Sequence, residues 1–171
     1  MSGRPTRILF VCHGNICRST MAEFVMRHLV REAGREAEFE IDSAATSTEE
    51  LGNDVHPGTR RKLEQAGVPC GHHASRQMSA ADYDRFDHIV GMDSENIVGI
   101  ECLLSGMRGA GYSWRPLPAA EAAAADPEHK VTKLLSWAGV GRDVADPWYT
   151  GDFDATYRDV LLGCTAMLQQ L

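Results

Sequence analysis

A thiol and a guanidinium lie close together near the start of the chain, in Val11-Cys12-His13-Gly14-Asn15-Ile16-Cys17-Arg18-Ser19-Thr20. The chemistry this pair offers is nucleophilic attack on an oxyanion ester. A planar guanidinium such as that of Arg18 grips two oxygens of a phosphate at once. It also stabilises charge that develops in the transition state. A cysteine facing a cation and a helix N-terminus has a lowered pKa, so Cys12 is expected as a thiolate near neutral pH. A thiolate beside a phosphate-sized anion hole is the arrangement of covalent catalysis on phosphorus. Ser19 stands where a hydroxyl would donate to the sulfur. The Cys-x5-Arg spacing by itself is weak, because a chain this rich in Arg meets it by chance on the order of a few tenths of the time.

The flanking elements make it stronger. Ile8-Leu9-Phe10-Val11 is an apolar run with the length of a buried strand. After the loop, Ala22, Val25, Met26, Leu29 and Val30 recur on one helical face. The loop therefore joins a strand to a helix, where backbone amides converge and the helix dipole adds positive charge. Thr20 and Glu23 have the spacing of a capping box for that helix.

Composition narrows the function classes. The chain has 171 residues, 43% hydrophobic and 24% charged, which suits one α/β domain with a real core. Its net charge is −7, and no basic stripe is present, so nucleic acid is not an expected partner. The apolar run after the N-terminal arginines is too short for a signal peptide, and no run would span a membrane. A cytoplasmic protein that makes no membrane contact is expected. Five cysteines without an export signal read as free thiols, and no Cys-x2-Cys pair marks a structural zinc.

Cys12-His13-Gly14-Asn15-Ile16-Cys17-Arg18-Ser19 resembles the phosphate-binding loop of the low-molecular-weight protein tyrosine phosphatases. Members of that family usually have proline where this chain has Thr20 and an apolar residue where it has His13. The resemblance continues at Asp42-Ser43-Ala44, at the end of a second expected strand. It implies that Ser43 hydrogen-bonds Asn15 and supports a left-handed loop backbone, which Asn tolerates better than most residues. In His72-His73-Ala74-Ser75-Arg76, the family pattern falls on His73, implying a place in the network behind the loop. Adjacent histidines rarely converge on one metal, and no metal is expected. Met92-Asp93 matches as well, with Asp93 implied to pair with the network histidine; Asp93 also reads as a helix N-cap.

Asp146-Pro147-Trp148-Tyr149 is ordinary turn chemistry when taken alone. The resemblance implies that Asp146 is the general acid and that Trp148 and Tyr149 flank a bound phenyl ring. It also puts the loop from Thr48 to Gly58 on one wall of the cleft. There, Glu49 occupies a place that often holds an aromatic ring-contacting residue. Glu49 and Glu50 otherwise read as solvated rim charges. Cys17 reads either as a small buried filler or as a redox partner for Cys12, and the resemblance implies the second.

The remaining segments are expected as follows. Helices cover Thr59 to Ala66 and a short stretch capped by Ser79-Ala80-Ala81-Asp82. A third strand covers Phe86 to Met92. Residues 103–126 form an insertion in which 119–125 make a surface helix anchored by Trp114. Asp126-Pro127 starts a helical turn, a fourth strand runs from Lys133 to Trp137, and an amphipathic helix closes the chain.

The fold implied is a small doubly wound sheet of four parallel strands in flavodoxin-like order, with helices on both faces and the site at the strands' carboxyl ends. The implied reaction is hydrolysis of phosphotyrosine on proteins through a phosphocysteine, without a cofactor. Cys12, Arg18 and Asp146 are the catalytic residues, and an oxyanion is held by the loop from His13 to Ser19. Three alternatives stand beside it. Arginine phosphatases on this scaffold carry threonine where this chain has Ile16. Thiol-linked arsenate reductases need further redox cysteines, which Cys70 and Cys102 do not fit. An inert anion-binding module would not need both Cys12 and Asp146.

Overall fold

The computed structural model describes residues 3–108 and 114–171. Four parallel strands form one sheet in the order β2-β1-β3-β4, as expected for a flavodoxin-like topology. They are β1 (Thr6–Cys12), β2 (Phe39–Ala45), β3 (His88–Gly91) and β4 (Val131–Lys133). The helices are α1 (Arg18–Glu32), α2 (Pro57–Gln65), α3 (Ala81–Arg85), α4 (Ser94–Leu104), α5 (Ala119–Ala125), α6 (Pro147–Thr150) and α7 (Phe153–Gln170).

β1 shows why the sheet is covered on both sides. Ile8, Phe10 and Cys12 point to one face, and Leu9 and Val11 to the other, all buried. On the first face the core gathers Met21 and Val25 of α1 with Val160, Cys164 and Met167 of α7. On the second it gathers Phe86, Ile89, Ile100 and Leu103. Each large apolar side chain fully buried in this way contributes about 1.5–3 kcal/mol. Gly163 lets α7 approach closely, because a Cβ there would collide with the Leu134 side chain.

Several local expectations need correction. Helix α1 begins at Arg18, with Cys17 as its N-cap and no side-chain cap. Thr20 is therefore already inside the helix, where its hydroxyl donates to the Cys17 carbonyl. Glu23 turns to Ser43 instead of capping. The second expected capping box is half made: the Ser79 amide donates to Asp82, and α3 starts at Ala81 without a side-chain cap. Strand β4 stops at Lys133, and Leu134–Ala138 tightens into a 3-10 turn where a strand was expected. The physical cause lies upstream. Asp126 accepts from the amides of Lys130 and Val131 and from the Tyr83 hydroxyl, which starts β4 early; the turn at Pro127 is a single one, closed by the His129 amide on the Asp126 carbonyl. Within the expected insertion, α4 runs on to Leu104 and α5 covers 119–125; residues 109–113 lie outside the described residues.

Candidate active site

The carboxyl ends of β1, β2 and β3 converge on the turn between Cys12 and Arg18. Each carbonyl of that turn is tied outward. Cys12 O accepts from the Thr46 amide (2.9 Å), His13 O from the Ser47 amide (3.1 Å), and Ile16 O from the His56 amide (2.9 Å). The Ser75 hydroxyl donates to Gly14 O (2.8 Å), and His73 Nε2 donates to Asn15 O (2.7 Å). Cys17 O closes the first turn of α1 by accepting from Met21. In a trans peptide the N–H points opposite the C=O, so this scaffold turns the loop amides inward. The Asn15 amide already reaches Cys12 Sγ at 3.3 Å.

The loop needs one residue at positive φ, and it is Asn15, at 58°. Its fully buried side chain donates to Ser43 Oγ and to Ser19 Oγ, both at 2.9 Å. Ser19 Oγ lies 3.0 Å from Cys12 Sγ. Cys12 and Arg18 are each only 4% exposed, so the thiol and the guanidinium sit at the bottom of a cleft. That cleft encloses about 740 Å³.

Two carboxylates hold Arg18: Nη1 pairs with Asp93 at 2.6 Å and Nη2 with Asp146 at 3.1 Å. Burial disfavours its charge, but Cys12, Asp93 and Asp146 together outweigh burial and hold its pKa above the ordinary arginine value. Asp93 thus pairs with Arg18, not with His73 as the sequence led us to expect. It also caps α4, accepting from the Asn96 amide at 2.7 Å in a reciprocal capping box. Asp146 caps α6 through the Trp148 amide. The loop before it is fastened to α7, where Asp159 accepts from Arg142 and from the Ala145 amide, and Thr156 donates to the Ala145 carbonyl.

At the mouth, Trp148 and Tyr149 line the cleft while remaining 68% and 85% exposed. His13 Nε2 sits 3.0 Å from Glu49, so Glu49 is engaged with the loop and is not a merely solvated charge. Glu50 accepts from Asn53 and lays its stem over Gly14. Ile16 lines the floor, and Trp114 and Pro116 contribute to a far wall. Sequence reasoning missed Trp114 and Pro116 as cleft residues, and Ser47 and Ser75 as loop anchors. Their serine-rich context was visible, but no spacing rule tied it to the loop. Among the described residues, no group of His, Cys, Asp and Glu is arranged to hold a metal ion, and no helix is long and apolar enough to cross a membrane.

Comparison with known proteins agrees with this geometry. A family profile described as low molecular weight phosphotyrosine protein phosphatase matches residues 7–109. The low molecular weight protein-tyrosine-phosphatase YfkJ of Bacillus subtilis is 34% identical over 166 residues, covering 96% of this chain and 94% of that protein. The chain belongs to this phosphatase family. The solved structure of YfkJ matches with a TM-score of 0.83 at 32% identity, covering 98% of this chain and 95% of that one. A structure described as a Drosophila arginine phosphatase also matches, with a TM-score of 0.77 at 28% identity over 95% of this chain and 96% of its own. The family profile stops at residue 109, short of Trp114 and Asp146.

Proposed function

We propose that this chain hydrolyses phosphotyrosine on proteins through a phosphocysteine intermediate. The observation that carries the reading is the position of Asp146 at the mouth of the loop, within 3.1 Å of the arginine that would hold the phosphate. An incoming dianion takes the Arg18 fork from Asp146, while Asp93 keeps hold of the other side. Cys12 Sγ forms the bond to phosphorus as the phosphorus–phenolate bond breaks. Asp146 gives its proton to the departing oxygen. Water then attacks phosphorus, Asp146 takes a proton from it, and the sulfur leaves. Ser19 donates to that sulfur as it leaves, and the loop amides hold the equatorial oxygens throughout.

Trp148, Tyr149 and Glu49 are the ring-side contacts in this reading, and the apolar Ile16 favours an aryl ester over a guanidinium-borne phosphate. We take residues 1–171 as one catalytic unit in which 103–126 is an insertion that lends Trp114 to the cleft. The five cysteines are all free, which fits action in the reducing cytoplasm.

The test compares p-nitrophenyl phosphate, a phosphotyrosine peptide, a phosphoarginine peptide and arsenate. The phosphotyrosine peptide is expected to have the highest kcat/KM. A higher value for phosphoarginine would move the chain to the arginine-phosphatase reading, and failure on every ester would leave an anion-binding module.

We further assign Cys17 as the redox partner of Cys12. Peroxide oxidises Cys12 to the sulfenic acid, and the Cys17 sulfur displaces its hydroxyl as water to form the disulfide. Burial pushes the Cys17 thiol up to about 12, with Cys12 adding to the rise, so Cys17 is a neutral thiol at pH 7. Because the thiolate is the attacking species, disulfide formation should quicken as pH rises. After peroxide and then dithiothreitol, the wild type should recover most of its activity and Cys17→Ser much less. Equal recovery would reduce Cys17 to packing.

A further inference from the structure

Glu23 is a buried acid that the reaction above does not use. It lies on α1, only 4% exposed, and accepts from the Ser43 hydroxyl at 2.5 Å. Its other oxygen takes Arg27 Nη2 at 2.8 Å. Burial, with Asp42 adding, raises its pKa above the ordinary carboxylate value and outweighs the lowering by Ser43, Arg27 and His73. From Ser43 the hydrogen bonds continue to the Asn15 amide, to Ser19 and to Cys12 Sγ, at 2.9, 2.9 and 3.0 Å.

A chain of hydroxyls and one amide can run in either direction, and its two ends decide which: the Glu23 carboxylate at one and the Cys12 sulfur at the other. A carboxylate accepts and never donates. Ser43 must therefore spend its proton on Glu23 and can only accept from Asn15. That turns the Asn15 NH2 toward both serines. Ser19, receiving one N–H from Asn15, has its own proton left for the sulfur. In the reverse direction Ser43 would donate to Asn15 Oδ1, the amide would flip, and Ser19 would donate to Asn15. The thiolate would then lose its hydroxyl donor and keep only the backbone amide of Asn15. Only a weak contact, Arg76 amide to Asn15 Oδ1 at 3.4 Å, opposes that flip from the loop side.

We propose that Glu23 is a positioning residue whose carboxylate sets the direction of the Ser43–Asn15–Ser19 chain so that Ser19 donates to the Cys12 thiolate. The role rests on Cys12 being the nucleophile, but the thiolate is measured without turnover.

The measurement is the pH dependence of Cys12 alkylation by iodoacetate in the phosphate-free protein, beside the kcat/KM profile. Losing a hydrogen bond to a charged sulfur should move the alkylation midpoint up by about one pH unit in Glu23→Ala, with kcat/KM falling about tenfold at acid pH. The sign decides the matter. Deleting a negative charge near a thiolate would by itself move the midpoint down. The titratable and charged groups facing Glu23 are Arg27 on its own helix, Asp42 on β2 and His73 on the segment between α2 and α3, and none of them is substituted in this variant.

Glu23→Gln keeps the shape should the alanine variant not fold. Arg27 can only donate, so the carboxamide oxygen goes to Arg27 and its NH2 to Ser43, which reverses the chain and raises the midpoint as well. In a Ser43→Ala background, Glu23→Ala should change nothing further. Phosphate affinity should stay within about twofold in Glu23→Ala and Glu23→Gln, because the cradle is backbone and Arg18. A midpoint that stays put or falls, or a Glu23 effect that persists without Ser43, overturns the proposal. A shifted midpoint in a protein that hydrolyses no ester would instead sink the phosphatase reading and leave this one standing.

Discussion

Cys12→Ser is expected to bind phosphate nearly as the wild type does and to turn over nothing measurable. The cradle does not depend on sulfur: its carbonyls are held outward by Thr46, Ser47, His56, Ser75 and His73, and Arg18 is held by Asp93 and Asp146. What is lost is the nucleophile. A serine hydroxyl at this place has no base to take its proton, since the sulfur's hydrogen-bond partners among the described residues, the Ser19 hydroxyl and the Asn15 backbone amide, are not basic. The expected loss in kcat is on the order of 10⁶-fold, the scale reached when a covalent nucleophile is removed. Calorimetry with phosphate or vanadate and a p-nitrophenolate release assay give the two halves. Turnover within tenfold of wild type would remove Cys12 from the mechanism.

Asp146→Asn should show an opposed pair of effects. Hydrolysis of a phosphotyrosine peptide should slow by roughly 10²–10⁴-fold, the usual contribution of a general acid. The loss should be smaller for p-nitrophenyl phosphate, whose leaving group needs less protonation. At the same time phosphate should bind more tightly, because the carboxylate that competes for Arg18 Nη2 at 3.1 Å has lost its charge. Equal rate losses for the two esters, or weaker phosphate binding, would give Asp146 a structural role at the mouth instead of a proton-transfer role.

How far the sequence could be read depended on whether a residue's partner was near it in the chain. Cys12, Arg18 and Ser19 lie on one turn, so their types and spacing, with the strand and helix on either side, placed a cysteine beside a cation. The strand β1 was legible as an apolar run for the same reason. Asp93 was found, but not its partner. Its reach to Arg18 depends on how β3 lies against β1, where Val11 pairs with Gly91, and no local pattern encodes that register. Glu23 was misread because its spacing from Thr20 matches a capping box. The helix had already begun at Arg18, so the acid fell on an inner turn facing β2. The fourth strand was displaced because Asp126 bonds forward to Lys130 and Val131, a choice between helix cap and strand lead-in that Asp-Pro leaves open.

The loop carrying Asp146 is fastened to α7, and α7 in turn packs on α1, the helix that opens from the phosphate loop. The two halves of the catalytic centre are therefore made at opposite ends of synthesis. While the ribosome is still extending the chain, the thiol and its arginine exist without an acid to finish the reaction. Contacts spanning most of the chain also form slowly, since closing so long a loop costs entropy before any packing repays it. In this reading activity would appear only as Phe153–Gln170 docks and covers the apolar face of α1. Truncation before α7 would therefore take away the anchor of Asp146 and the cover of one sheet face together.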